Sequence, residues 1–158
     1  MTIDHLLSLQ ALSIRQPWAS LIMSGMKTIE LRSWQTNYRG WLWIHSGKKP
    51  DLEALELLGD QPQEFQTGGL LGIAHLTDVR AIETPAQWRS LQSAHRSAHG
   101  FQEGAYGWRF SEAIALRRKI ACPGELYLFP LHAATRDAAR EAIAADADFL
   151  DAVEEIRP

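Results

Sequence analysis

The chain has 158 residues, 46% apolar and 22% charged, with 11 Gly and 7 Pro, the proportions of one ordinary globular domain with a core large enough to need no staple. Its longest apolar-or-Gly run near the middle, Gly68 to Ala74, is far short of the ~20 residues of a membrane helix, and residues 1–14 hold no Lys or Arg, so the expected compartment is the cytoplasm, without membrane contact. The single Cys122 has neither a CxxC partner nor a His at ligand spacing, which argues against a disulfide or zinc site and leaves it as a small core hydrophobe.

Charge is unevenly divided along the chain. Residues 133–158 set three Arg against seven carboxylates, a balance of −4, whereas residues 11–49 set six cations against Glu30 alone, a balance of +5. Trp18, Trp34, Tyr38, Trp41 and Trp43 are interleaved with those cations. Single-stranded nucleic-acid grooves use such a composition, with cations along phosphates and rings stacked on bases. The composition is equally that of core rings under a solvated charged rim.

In chain order, Pro17 to Lys27 reads as a short amphipathic helix, with Pro at its start, Trp18, Leu21 and Ile22 on one face and Gly25 at its end. Thr28 to Arg32 alternates strictly, placing Ile29 and Leu31 on one strand face and Thr28, Glu30 and Arg32 on the other. Gly40 to His45 reads as the next strand, Pro50 to Leu58 as a helix stopped by Gly59, and Gly69 to Val79 as a further strand. Thr84-Pro-Ala-Gln87 forms a capping box opening a helix through Trp88 and Leu91. Tyr106 to Phe110 and Glu125 to Phe129 read as closing strands, followed by one acidic amphipathic helix from Thr135 to Ile156. Strands separated by short helices, with few βαβ spacings, predict an α+β domain on a small mixed β-barrel. The expected division is an N-terminal extension (1–10), a body (11–132) and the C-terminal helix (133–158).

The segment Leu12-Ser-Ile-Arg-Gln-Pro-Trp-Ala19, the Gly25, Lys27, Glu30, Arg32 spacing of G-x-K-x-x-E-x-R, and Tyr38-Arg-Gly-Trp-Leu-Trp-Ile-His45 together resemble the ASCH (activating signal cointegrator 1 homology) family. Gly69-Leu-Leu-Gly72 and Gly107-Trp108 fall where that family has its central and closing strands, so the resemblance covers residues 11–132. Tyr38-Arg39-Gly40 and Lys48-Lys49-Pro50 suggest the branch that resembles the ASCH domain of the eukaryotic transcriptional coactivator. The resemblance implies a PUA-like barrel, with peripheral short helices, whose cleft over the signature strand serves RNA or coregulator binding.

Glu30 and Arg32, two apart on a strand, share a side, and Lys27 reaches the same mouth. A carboxylate between two cations can read a base edge, or simply close the barrel mouth as an ion-pair cluster. The binding residues expected are Gln16, Trp18, Lys27, Glu30, Arg32 and Trp34. Gln16, ahead of a helix N-terminus, reads equally as a helix cap. The ligand expected is RNA, another single-stranded nucleic acid, or a nucleoside; no cofactor or metal is called for. The C-terminal helix could additionally serve self-association or a protein partner.

An enzyme reading stands beside this one. Acetylcytidine amidohydrolases of the family carry a Lys and, three residues later, a Thr; here Lys27 matches and Glu30 replaces the Thr. A ribonuclease would draw on Lys27, Glu30 and His45 as acid and base. His95 and His99, i and i+4, are the only His pair at metal-ligand spacing, and lack a third ligand nearby in sequence.

Overall fold

The computed structural model describes residues 1–59 and 65–156. Six strands, β1 (Ala11–Ile14), β2 (Ile29–Arg32), β3 (Gly40–Ser46), β4 (Gly69–Ala81), β5 (Tyr106–Ala121) and β6 (Leu128–Phe129), form one sheet in the order β2-β5-β4-β3-β1-β6. Only β1 and β3 run parallel; the other neighbours are antiparallel, and the sheet curls into a half-barrel. The expected mixed α+β barrel with short peripheral helices is therefore the fold. Among the described residues, no helix is long and apolar enough to cross a membrane.

Among the described residues, seven helices surround the sheet: α1 (Ile3–Ser8), α2 (Trp18–Met23), α3 (Leu52–Leu58), α4 (Pro85–Ser90), α5 (Gln92–His95), α6 (Ala133–Ala144) and α7 (Ala147–Glu154). Their ends follow local chemistry. Asp51 Oδ1 caps α3 by accepting from the Ala54 N–H, and Gly59 closes it in the left-handed region. The Thr84 and Gln87 side chains form the reciprocal box that opens α4.

Five elements differ from expectation. The single helix over 135–156 is two helices, because the buried Asp146 accepts the Phe149 N–H at 3.1 Å and the Arg117 N–H at 2.7 Å, which breaks the first helix and caps the second. The strand expected over 125–129 shrinks to Leu128–Phe129, since Tyr127 takes φ +60, outside strand geometry. Conversely, the strand from Tyr106 continues to Ala121, past its apolar-polar alternation. Helix α1 and strand β1 are not predicted by the local pattern at all.

Two apolar clusters lie on opposite faces of the sheet. One gathers Leu12, Ile14, Ile22, Leu42, Leu76, Trp108 and Phe110 beneath α2. The other packs Leu6 and Leu7 of α1 and Ile143, Phe149 and Val153 of α6 and α7 around Trp43. Trp43 stacks on Phe149 with ring centroids 6.0 Å apart, and its Nε1 donates to Leu6 O at 2.8 Å. Trp43, in the basic aromatic stretch, is thus core, and the acidic C-terminal helices cover it.

Candidate functional site

The Gly25 turn after α2 points Lys27 inward just before β2. Lys27 is 3% exposed; its Nζ donates to the His95 carbonyl of α5, lies 3.6 Å from Glu30 Oε1, and sits 4.8 Å from the centroid of the Trp18 ring. Glu30, also buried, turns its second oxygen to Arg32, 2.9 Å from Nη2 and 3.1 Å from the donating Nε. Arg32 Nη2 also donates to the Ser13 carbonyl at 2.7 Å, tying β2 to β1. One carboxylate therefore bridges two cations, as the strand alternation predicts.

Burial depresses the Lys27 pKa, because an ammonium loses hydration there; Glu30 opposes the shift, and the Arg32 and Arg96 charges add to it. The ammonium is enclosed by a carbonyl, a carboxylate and a ring face.

The remaining sequence candidates separate into buried and open positions. Gln16 is fully buried and its amide is spent within the chain: Oε1 accepts the Ser20 N–H at 3.0 Å, while Nε2 donates to Ser20 Oγ at 2.8 Å and to the Gln66 carbonyl at 2.7 Å. The Oε1 bond serves the first turn of α2, and the Nε2 bond to Gln66 ties that turn to the chain after α3. Trp18 is half-buried, with Nε1 donating to Asp51 Oδ2 at 3.0 Å. Trp34 packs edge-on against Trp108 at 4.6 Å and Tyr127 at 5.0 Å. Arg32, Ser33 and Trp34 open, with Ser13, Glu125, Leu126 and Tyr127, onto a cavity of about 350 Å³. Tyr127 was missed by sequence reasoning: nothing in Glu125-Leu-Tyr127 marks a left-handed loop position.

His45 is buried behind this cavity, apart from the hydrogen bonds of the Lys27 cluster. Its Nε2 lies 2.9 Å from the Cys122 carbonyl, which can only accept, so Nε2 carries the proton and Nδ1 accepts the Ser13 hydroxyl at 2.9 Å. Burial lowers its pKa, partly offset by the carbonyl bond, and favours the neutral ring. The His95 ring is likewise committed, with Nε2 bonded to the Trp88 carbonyl at 2.9 Å and Nδ1 accepting the Ser97 N–H at 3.0 Å; His99 instead lies 3.6 Å from Glu53. Among the described residues, no three ligating side chains cluster to hold a metal.

The ASCH domain family model matches residues 12–121. The chain belongs to the ASCH family. Its signature Lys27, Glu30 and Arg32 all fall within the matched span. Activating signal cointegrator 1 of Mus musculus and of Homo sapiens are each 39% identical to it over 79 residues, 42% of this chain. The chain covers only 14% of the length of those two proteins. Crystal structures of the ASCH protein of Zymomonas mobilis share the fold: a mutant form superposes with TM-score 0.61 at 14% identity, covering 89% of this chain and 98% of that one. The form without a mutation gives 0.58 at 15% identity, covering 83% and 92%.

Proposed function

We propose that this ASCH domain binds RNA or another single-stranded nucleic acid, taking one nucleotide into the cavity between Arg32, Trp34 and Tyr127. The observation that carries the reading is a fixed, part-exposed guanidinium beside two aromatic rings. Glu30 and the Ser13 carbonyl hold the Arg32 fork, and the side chain remains 23% exposed at the cavity. A cation of that kind binds a phosphate or base carbonyl, and the Tyr127 ring, 62% exposed, offers a stacking face. The cavity's roughly 350 Å³ suits a ligand of nucleotide size. In this reading Glu30, bridged to Lys27 and through it to Trp18, holds Arg32 at the cavity, while the Gln16 amide is spent on Ser20 and Gln66.

One observation favours the hydrolase alternative: burial depresses the pKa of Lys27, as a lysine nucleophile or base requires. Against it, the ammonium is spent on His95, Glu30 and Trp18, and Glu30 stands where the acetylcytidine hydrolases carry a hydroxyl.

Fluorescence anisotropy with a labelled 12-mer oligouridylate, and calorimetry with uridine monophosphate, test the reading. Three or four phosphate contacts give a slope of log K against log salt of about −2 to −3. Arg32→Ala and Tyr127→Ala should each weaken both ligands by about 1–3 kcal/mol. Absence of binding to either ligand at low salt refutes the proposal. Acetylcytidine turnover by the wild type, lost in folded Lys27→Ala, replaces it with the hydrolase.

A further inference from the structure

The antiparallel register between β4 and β5 slips sharply at one place. Leu70 pairs with Ile120 and Gly72 with Ala115, so Leu71 alone faces the four residues Leu116 to Lys119. Bulges of this kind re-aim side chains away from a sheet and recur beside functional sites. This one lifts Arg117, Arg118 and Lys119, all exposed, out of the ladder as three consecutive cations.

The surrounding chain is built to hold the bulge. A Cβ on Gly72 would come 2.2 Å from the Ile114 carbonyl oxygen, and one on Gly69 would come 2.6 Å from the Ile120 carbonyl oxygen. Only glycine lets the two backbones approach so closely on either side of the slip, which gives the Gly69-Leu-Leu-Gly72 motif a physical role. The Arg117 N–H, displaced from the ladder, is taken up by the buried Asp146 at 2.7 Å. Lys119 Nζ donates to the Thr67 carbonyl at 2.7 Å. The Lys48 stem lies beside Gly68, bringing a fourth cation to the same turn.

Two depressions run along the bulge. One, of about 350 Å³, is lined by Ser20, Ser24, Gln66 and Lys119 among others; the next, of about 460 Å³, by Arg117, Arg118, Lys119 and Asp146. They share Leu116 and Lys119 and have no residue in common with the Arg32 cavity.

We infer that this groove is a second nucleic-acid contact, tracking several phosphates of a strand whose one nucleotide occupies the Arg32 cavity. The inference rests on the proposed function and extends it. Closely spaced, exposed cations with no flat ring among the groove linings bind a charged backbone without reading bases. Asp148 of α7, 3.3 Å from Arg117 Nη2, competes for one of these cations and attenuates the contact.

The test uses the full chain, the 12-mer oligouridylate and uridine monophosphate across a salt series. The Arg117→Ala, Arg118→Ala, Lys119→Ala triple variant should lose about 2 from the magnitude of the 12-mer salt slope, about 0.7 for each lost phosphate contact, while its affinity for the mononucleotide stays within twofold. Asp148→Asn should tighten the 12-mer about two- to fivefold at low salt and leave the mononucleotide unchanged. Circular dichroism and thermal melting check that the variants are folded, and Asp148→Asn keeps the groove's cations intact if the triple variant is not. A 12-mer slope that is the same in wild type and triple variant, or a 12-mer affinity unmoved by Asp148→Asn, overturns the groove and leaves the Arg32 cavity standing. Loss of 12-mer binding in Arg32→Ala with no effect of the triple variant likewise overturns the groove alone. A wild type that binds neither ligand overturns both.

Discussion

Glu30→Gln keeps the side-chain shape and removes the one negative charge shared by Lys27 and Arg32. Arg32, 23% exposed, retains solvent and the Ser13 carbonyl, so most of the cost falls on Lys27, 3% exposed and left with the His95 carbonyl and the Trp18 face. Stranding a buried ammonium in this way costs about 3–5 kcal/mol. In a domain of this size each kcal/mol moves Tm by about 2–4 °C, so the expected fall is about 6–20 °C. The loss also depends on pH with a definite sign. The Lys27 pKa is lowered in the folded protein, and removing Glu30, which raises it, lowers it further. Between that depressed value and the unfolded value near 10.4, the unfolded chain binds the extra proton, so stability rises with pH. The deficit relative to wild type is therefore largest near pH 7 and shrinks towards pH 10. Adding Lys27→Met removes the stranded charge and should recover more than half of the loss. Differential scanning calorimetry at pH 7, 8.5 and 10 checks both expectations. A deficit constant across that range, or a double variant no more stable than Glu30→Gln alone, refutes the account of the buried cluster.

Phe149→Ala empties a fully buried site against Trp43 and should cost about 3–5 kcal/mol in urea unfolding; a cost below 1 kcal/mol would show that α7 is not part of the core. His45 and His95 both have folded pKa values below the ordinary 6.5, each chiefly through burial, so the unfolded chain takes up these protons first as pH falls. Stability is thus fully present above about pH 6.5 and declines below it, by about 1.4 kcal/mol per pH unit for each group; His45→Gln should flatten that decline in acid melting curves, and an unchanged acid limb would count against a neutral buried His45.

Features fixed by neighbouring residues were legible in the sequence. The Thr84–Gln87 box, the Gly59 stop and the Ile29/Leu31 against Glu30/Arg32 alternation need only a few adjacent positions to specify them. The Lys27-Glu30-Arg32 grouping was readable for the same reason. Its burial was not, because the group that encloses Lys27 is the His95 carbonyl, 68 residues away. Strand β1 escaped because Ala11-Leu-Ser-Ile14 does not alternate apolar with polar residues, and its strand character comes from lying between β3 and β6. The second half of β5 escaped because three consecutive cations, Arg117, Arg118 and Lys119, break the alternation of a strand, and the bulge lifts them out of the ladder. For Gln16, a polar residue beside a helix start fits a reader or a cap, and its bonds to Ser20 and Gln66 were not legible because Gln66 lies 50 residues away.

The packing of α1, α6 and α7 around Trp43 sets an order of events during translation. Leu6 and Trp43 leave the ribosome early, yet Ile143, Phe149 and Val153, which seal the same face, emerge about a hundred residues later. At elongation rates of about 5–20 residues per second, that interval is several seconds or more, long compared with helix or hairpin formation. Until then the Trp43 ring lacks the Phe149 partner on which it stacks in the folded domain. The native state of this domain is consequently reached after residue 153 has cleared the exit tunnel, and a ribosome stalled earlier leaves Trp43 without its C-terminal cover.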